Sequence, residues 1–437
     1  MIFDIEKYSK IPDGWSKVKL SDLADFNAKS WSKKDKPDTI NYIDISSVST
    51  GKVAEPTEMK FDSAPSRARR KVDKGDIIIS TVRPNLKQFA LLDFNKDNLT
   101  ASTGFCTITP KKPEYTWLIY SVVTTDIFTE HLVRVAQGAT YPAIKPSDIS
   151  EAYIGLPPQE ELHKLNALIG ALWQKQTINE AMNQTLEKLA QRIFKSWFID
   201  FDPVKANKEG LPFDGLSPEI QALFPSEFED SELGMIPKGW EVSNIEKYAT
   251  NVRKNIKKGD IDSDMPYLGL EHINRKCLSV YEHGLGESVT SNKSLFQVND
   301  ILLGKLRPYF HKVGIPNFDG VCSTDILVVR PKESFYFEYA LNVIYQDRLI
   351  DHLTRCSSGT RMPRAKWADV TDYQLATPLD DSIFKAFSKI TSPLYQRLLN
   401  NCNEVDTLSK LRDRLLPKLI SGQISVGEVA QELAEAV

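Results

Sequence analysis

Two arginines occur in matching settings. Arg83 closes the run Asp76-Ile77-Ile78-Ile79-Ser80-Thr81-Val82-Arg83-Pro84, and Arg307 closes Asp300-Ile301-Leu302-Leu303-Gly304-Lys305-Leu306-Arg307-Pro308. Basic residues cluster inside the two mixed parts of the chain. Lys60–Ala90 holds eight bases against three acids, and Asp351–Lys366 holds four against one. Each half also has a polar loop containing Gly and Pro, Gln137–Ser147 and Ser357–Ala368. Guanidinium and ammonium groups neutralise phosphates, while Arg, Gln, Thr and Tyr bond to base edges. A solvated charged face would carry the same residues, but two clusters, one in each of two domains, favour a nucleic-acid partner.

Other chemistry is poorly supported. There is no G-x-x-x-x-G-K-[ST] loop and no G-x-G-x-x-G after a strand. Glu58-Met59-Lys60 lacks the second half of a nuclease pair. The six histidines form no H-E-x-x-H or H-x-H pair, and His131 and His352 read as packing residues on helices. The five cysteines include no C-x-x-C, so neither a disulfide framework nor a cysteine zinc site is expected. No run approaches the roughly 20 apolar residues of a membrane span, and the acidic start of the chain is unlike a signal peptide. A cytoplasmic protein is expected.

The elements that position these residues are written twice. Ile11-Pro12-Asp13-Gly14-Trp15 returns as Ile236-Pro237-Lys238-Gly239-Trp240, and His131-Leu132-Val133-Arg134 as His352-Leu353-Thr354-Arg355. With the two Arg-Pro runs and Leu186–Leu189 against Leu408–Leu411, four blocks recur in order at offsets of 221–225. That period is far longer than a solenoid unit of about 20–50 residues, so each half is a domain with an attached element. Thr39–Arg70 and Asn255–Asn292 diverge, which implies one frame presenting two surfaces.

Each half begins as mixed α/β. Asp76–Val82, Asp300–Leu306, Phe105–Thr109 and Ile326–Val329 read as strands. Tyr115–Val135 and Phe337–Arg355 have helical apolar spacing. Each half ends in a long helix, Gln159–Phe198 or Asp381–Ser421, the first roughly 60 Å long. Pro393 is expected to kink the second and Pro417 to end or distort it. Leu165, Leu172, Asn179, Leu186 and Ile193 step by seven, as do Phe387, Leu394, Asn401, Leu408 and Leu415. A central asparagine in a heptad seam fixes register, so Asn179 is expected to face Asn401 across an antiparallel pair. The alternative is that both lie on solvated helix faces.

The net charge of −3 conceals this organisation. Asp200–Glu232 has nine acids, two bases and four prolines, so the remaining chain is net positive. This join is expected to be extended and solvated.

The doubled Ile-Pro-x-Gly-Trp, the strands ending in Arg-Pro, the Gly-x-x-x-Pro loops and the long helices together resemble the DNA-specificity (S) subunit of type I restriction–modification systems. Phe198-Ile199-Asp200-Phe201-Asp202-Pro203-Val204 and Leu415-Leu416-Pro417-Lys418-Leu419-Ile420-Ser421-Gly422 are the most specific parts. The resemblance implies an α+β (mixed) fold with two pseudo-symmetric target-recognition domains joined by two long antiparallel, coiled-coil-like helices. The expected partition is 1–157 recognition domain, 158–199 spacer helix, 200–234 linker, 235–378 recognition domain, 379–437 spacer helix and tail. It further implies double-stranded DNA as ligand, read as a bipartite asymmetric target, with two methyltransferase subunits and two restriction subunits as partners. S-adenosylmethionine, ATP and Mg2+ are expected on those partners and no cofactor in this chain, which is expected to be non-catalytic.

On that reading the DNA-binding candidates are Arg83, Gln137, Thr140, Tyr141 and Lys145, with Arg307, Tyr309, Arg361, Arg364 and Lys366 in the second half. Repeated Arg83 and Arg307 serve something common to both halves, either a phosphate contact or a structural hydrogen bond. The unlike loop side chains are better placed to read sequence. A stand-alone DNA-binding or anti-phage protein, or a helical scaffold that does not read DNA, would share parts of this pattern.

Overall fold

The computed structural model describes residues 2–32, 34–357 and 362–429. Its contacts divide it into two compact units, Met1–Gln174 with Ser409–Val437, and Lys175–Leu408. Each contains a stretch of both long helices.

In the first unit, Ile77–Ser80 lies between Phe105–Pro110 and Phe89–Leu91, all antiparallel, with Ala24–Phe26 at the edge. Side chains alternate along a strand. Ile77 and Ile79 enter a core with the helical residues Leu118, Phe128 and Leu132. Ile78 enters another with Ile43, Leu99 and Phe105. Burial on both faces explains the unbroken aliphatic run. A second sheet has the order Thr57–Lys60, Thr39–Ile43, Leu99–Ser102, Ala68–Lys71, with its second and third strands parallel. Ser16–Lys19 pairs with Tyr153–Leu156.

The second unit repeats this plan. Ile301–Gly304 lies between Ile326–Pro331 and Val313–Gly314. Ile301 and Leu303 enter the core with the helices, and Leu302 enters the core under the second sheet. That sheet again has one parallel pair, Pro266–Leu268 with Gly320–Cys322. The segments unlike in sequence therefore build sheets around a like parallel pair, four-stranded in the first unit and five-stranded in the second.

Three expectations are corrected. Tyr115–Val135 is two helices, Thr116–Val123 and Asp126–Val135. Thr125 is extended, and its Oγ1 accepts from Phe128 N at 3.3 Å, a helix start with Asp126 in the first turn. Phe337–Arg355 divides likewise, into Phe337–Tyr345 and Asp347–Cys356, at extended Gln346. Second, Pro417 does not end the second long helix, which is helical over Ser382–Ile420. Pro393 and Lys389 both lie on the exposed face, so the carbonyl that loses its donor is accessible to water. Third, the join is folded. Asp202–Glu209 and Pro218–Gln221 are helical, and Phe228–Ser231 pairs with Gly234–Pro237. Val204, Phe224 and Ile236 are buried in one cluster with Trp197 and Trp240.

Gln159–Phe198 is helical as expected. In the second unit its latter part packs antiparallel on the second long helix: Asn179 Nδ2 donates to Glu404 Oε2 at 2.9 Å, and Asn183 Nδ2 to Leu398 O at 3.2 Å. Asn179 and Asn401 are fully buried, which excludes the solvated alternative. They do not face each other, however. Asn401 Nδ2 donates to Asn183 Oδ1 at 2.8 Å. Asn183 lies one turn beyond Asn179 on the same helix face. The heptad step marks the seam, whereas packing sets the axial offset of the two helices. In the first unit Leu165 and Ile169 pack with Leu415, Leu416 and Leu419.

Candidate nucleic-acid interface

The arginine turns are alike in both units. Arg83 (φ 50°) and Arg307 (φ 52°) are left-handed, as are Lys87 and His311 four residues on. A non-glycine residue held there costs on the order of 1 kcal/mol and persists only where its surroundings fix it. Here they do. Arg83 N donates to Pro142 O at 2.7 Å, and Arg307 N to Pro363 O at 2.8 Å. Pro84 and Pro308 begin each short 3-10 turn, where a missing N–H costs nothing. At the far end Lys87 Nζ meets Asp126 Oδ1 at 2.5 Å, and His311 Nδ1 lies 3.2 Å from Asp347 Oδ1. Burial pushes the His311 imidazole pKa down, opposed by Asp347.

The Gly-Pro loop is thus clipped to the end of the central strand. In the first unit Gln137 and Ala143 exchange backbone hydrogen bonds at 2.9 Å, and Ile144 N reaches Thr81 O. Gly138 sits at φ +106°, and a Cβ there would meet Tyr141 O at 3.0 Å. The Arg83 guanidinium lies 4.7 Å from the Tyr141 ring and donates to Thr140 O at 3.3 Å. Tyr141 is 66% exposed. Gln137, Thr140, Tyr141 and Arg83 are therefore gathered on one exposed turn. Lys145 is exposed where the loop ends, its N–H capped by Asp148 Oδ2 at 2.7 Å.

In the second unit Ala365 N donates to Lys305 O at 2.9 Å, closing the same clip. Tyr309 is half exposed, with its ring 4.8 Å from Phe310. Arg307 lies 5.9 Å from that ring. Arg364 is held by Asp325 at 3.2 Å, so its charge is partly compensated. Lys366 is exposed, with its N–H on Asp369 Oδ2 at 2.7 Å. Arg361 and Gly359 lie outside the described residues.

The sequence candidates miss the supports of this surface. Gln88 Nε2 donates to Ile45 O at 3.0 Å, and Lys312 Nζ donates to Leu270 O. Each ties the turn after the parallel strand to the arginine turn. Gln88 and Lys312 share the offset of Arg83 and Arg307, as do Lys87 and His311, so the repeat itself carried that signal. The turn can offer cations, an aromatic face and loop hydrogen-bond groups to a polyanion. Among the described residues no group of three or more His, Cys, Asp or Glu could hold a metal ion. No described helix is long and apolar enough to cross a membrane.

Residues 12–189 match the family described as type I restriction modification DNA specificity domain. The chain is 27% identical over 376 residues to the type I restriction enzyme MjaIX specificity subunit of Methanocaldococcus jannaschii, covering 82% of this chain and 79% of that protein. It is 24% identical over 462 residues to the HindI specificity subunit of Haemophilus influenzae, covering 94% and 99%. A type I restriction–modification S subunit structure from M. genitalium shares the fold, with a TM-score of 0.53 at 14% identity, covering 94% of this chain and 96% of that one.

Proposed function

We propose that this chain, which resembles the type I restriction–modification specificity subunits along most of its length, selects the DNA sequence on which such a complex acts. Each unit reads one part of a bipartite, asymmetric duplex target through its arginine turn and Gly-Pro loop. The long helices give two methyltransferase subunits matching places to dock, and two restriction subunits join the assembly. S-adenosylmethionine, ATP and Mg2+ act on those partners, and this chain supplies recognition rather than catalysis, in the cytoplasm.

The observation carrying this reading is the repeated strained arginine, bonded to the same loop carbonyl in both units while the loop side chains differ. A common frame suits phosphate contacts, which position a protein, and unlike side chains suit base contacts, which specify. The test is reconstitution with the methyltransferase partner, followed by single-molecule sequencing of methylated adenines. Replacing Thr140 and Tyr141 by alanine is expected to relax one part of a two-part motif and leave the other intact. Methylation that ignores this chain, or a motif unchanged in both parts, contradicts the reading.

A further inference from the structure

We infer that Arg275 of the second unit reads a guanine in the DNA part assigned to that unit. The inference rests on the proposed function and adds a residue and a base to it.

Arg275 lies in the segment without a sequence counterpart in the first half. Its backbone is fixed from both sides. Ile273 is fully buried in the core beneath the second sheet. Lys276 is left-handed at φ 50°, and its N–H donates to His311 O at 2.9 Å, the last residue of the Arg307 turn. Lys276 Nζ also reaches Asp347 Oδ1 at 3.0 Å. The segment is thus pinned to the turn that carries Arg307.

The side chain is positioned too. The Arg275 guanidinium lies 3.8 Å from the centre of the Phe310 ring, whose other guanidinium neighbour is Arg307 at 5.9 Å. Arg275 is exposed and has no hydrogen-bond or ion-pair partner among the described residues. This separates it from other arginines near the turns. Arg364 is paired with Asp325, Arg67 with Asp44 at 3.7 Å, and Arg83 donates to a loop carbonyl. An aromatic platform restrains the planar group and leaves its N–H edge free. That suits the bidentate bond to guanine O6 and N7, which a pre-organised guanidinium makes with little further loss of freedom. Arg307 beside it supplies the phosphate contact common to both units.

The test uses the full chain reconstituted with its methyltransferase partner, mapping methylated adenines for wild type, Arg275→Ala and Arg275→Lys. Wild type is expected to give a two-part motif with guanine at one position of one part. Arg275→Ala should relax that guanine alone and lower methylation of the original site roughly ten- to a hundredfold. Arg275→Lys keeps the charge but not the planar fork, so it should also relax the guanine. Unchanged melting temperatures confirm that both variants fold. If Arg275→Ala lowers methylation without relaxing the guanine, Arg275 is a phosphate contact and the inference falls. An unchanged motif in both variants also overturns it, with the proposed function intact. A wild-type complex whose methylation follows no sequence overturns both.

Discussion

Glu187 sits on the first long helix, 4% exposed, and binds the segment that begins at Cys277. Its Oε1 accepts from Leu278 N at 3.1 Å and Ser279 Oγ at 3.2 Å. Burial raises its pKa from 4.5 to about 7, against the opposing effect of those donors. Between these two values the folded chain holds a proton that the unfolded chain has released, so stability falls as pH rises across that window. At about 1.36 kcal/mol per pKa unit the loss is on the order of 3 kcal/mol. Glu187→Gln keeps an acceptor for both donors and removes the titration. The variant should match wild type near pH 4.5 and exceed its stability at pH 8. For a unit this size, roughly 2–4 °C per kcal/mol gives a melting difference on the order of 10 °C at pH 8. The assay is thermal unfolding of both proteins between pH 4.5 and 8, with the difference plotted against pH. A flat difference, or one that favours wild type increasingly at high pH, would refute the reasoning.

The remaining predictions concern the helix pair and the turns. Asn401→Ala should destabilise by about 1–3 kcal/mol because Asn183 Oδ1 loses its buried donor. Thermal unfolding of a double-mutant cycle with Asn183→Ala should show non-additive coupling, whereas additive losses would mean the pair does not interact. Gly138→Ala must hold a side chain at φ +106° against Tyr141 O, straining the loop by about 1–3 kcal/mol. It should lower methylation by the reconstituted complex and, at roughly 2–4 °C per kcal/mol, lower the melting temperature by about 2–12 °C. Arg83→Ala should weaken that complex on all duplexes about equally and reduce the log–log salt slope of binding, followed by fluorescence anisotropy, by about 1. An altered sequence preference at unchanged slope would assign Arg83 to base reading instead.

Much of this arrangement was legible in the sequence because repetition does not depend on local propensity. The two Arg-Pro runs marked the central strands, and their following loops marked the face to which those strands deliver. What escaped was set by tertiary contacts. Apolar spacing continues across Thr125 and Gln346, so periodicity alone could not find the breaks. The seven-residue step placed Asn179 and Asn401 in the seam, but neither helix encodes the axial shift that brings Asn183 opposite Asn401. The acids and prolines of the join hid Val204 and Phe224, which pack in one cluster with Trp197. Arg275 was one base among many in a segment with no repeat to align, and only its stack on Phe310 distinguishes it.

The central claim is that the two units read two different parts of one DNA target. Selection of a fully randomised duplex library by the reconstituted complex tests it most directly. Two separate, unlike blocks of fixed sequence divided by an unread gap are predicted. A single contiguous block, or no enrichment at all, would contradict it.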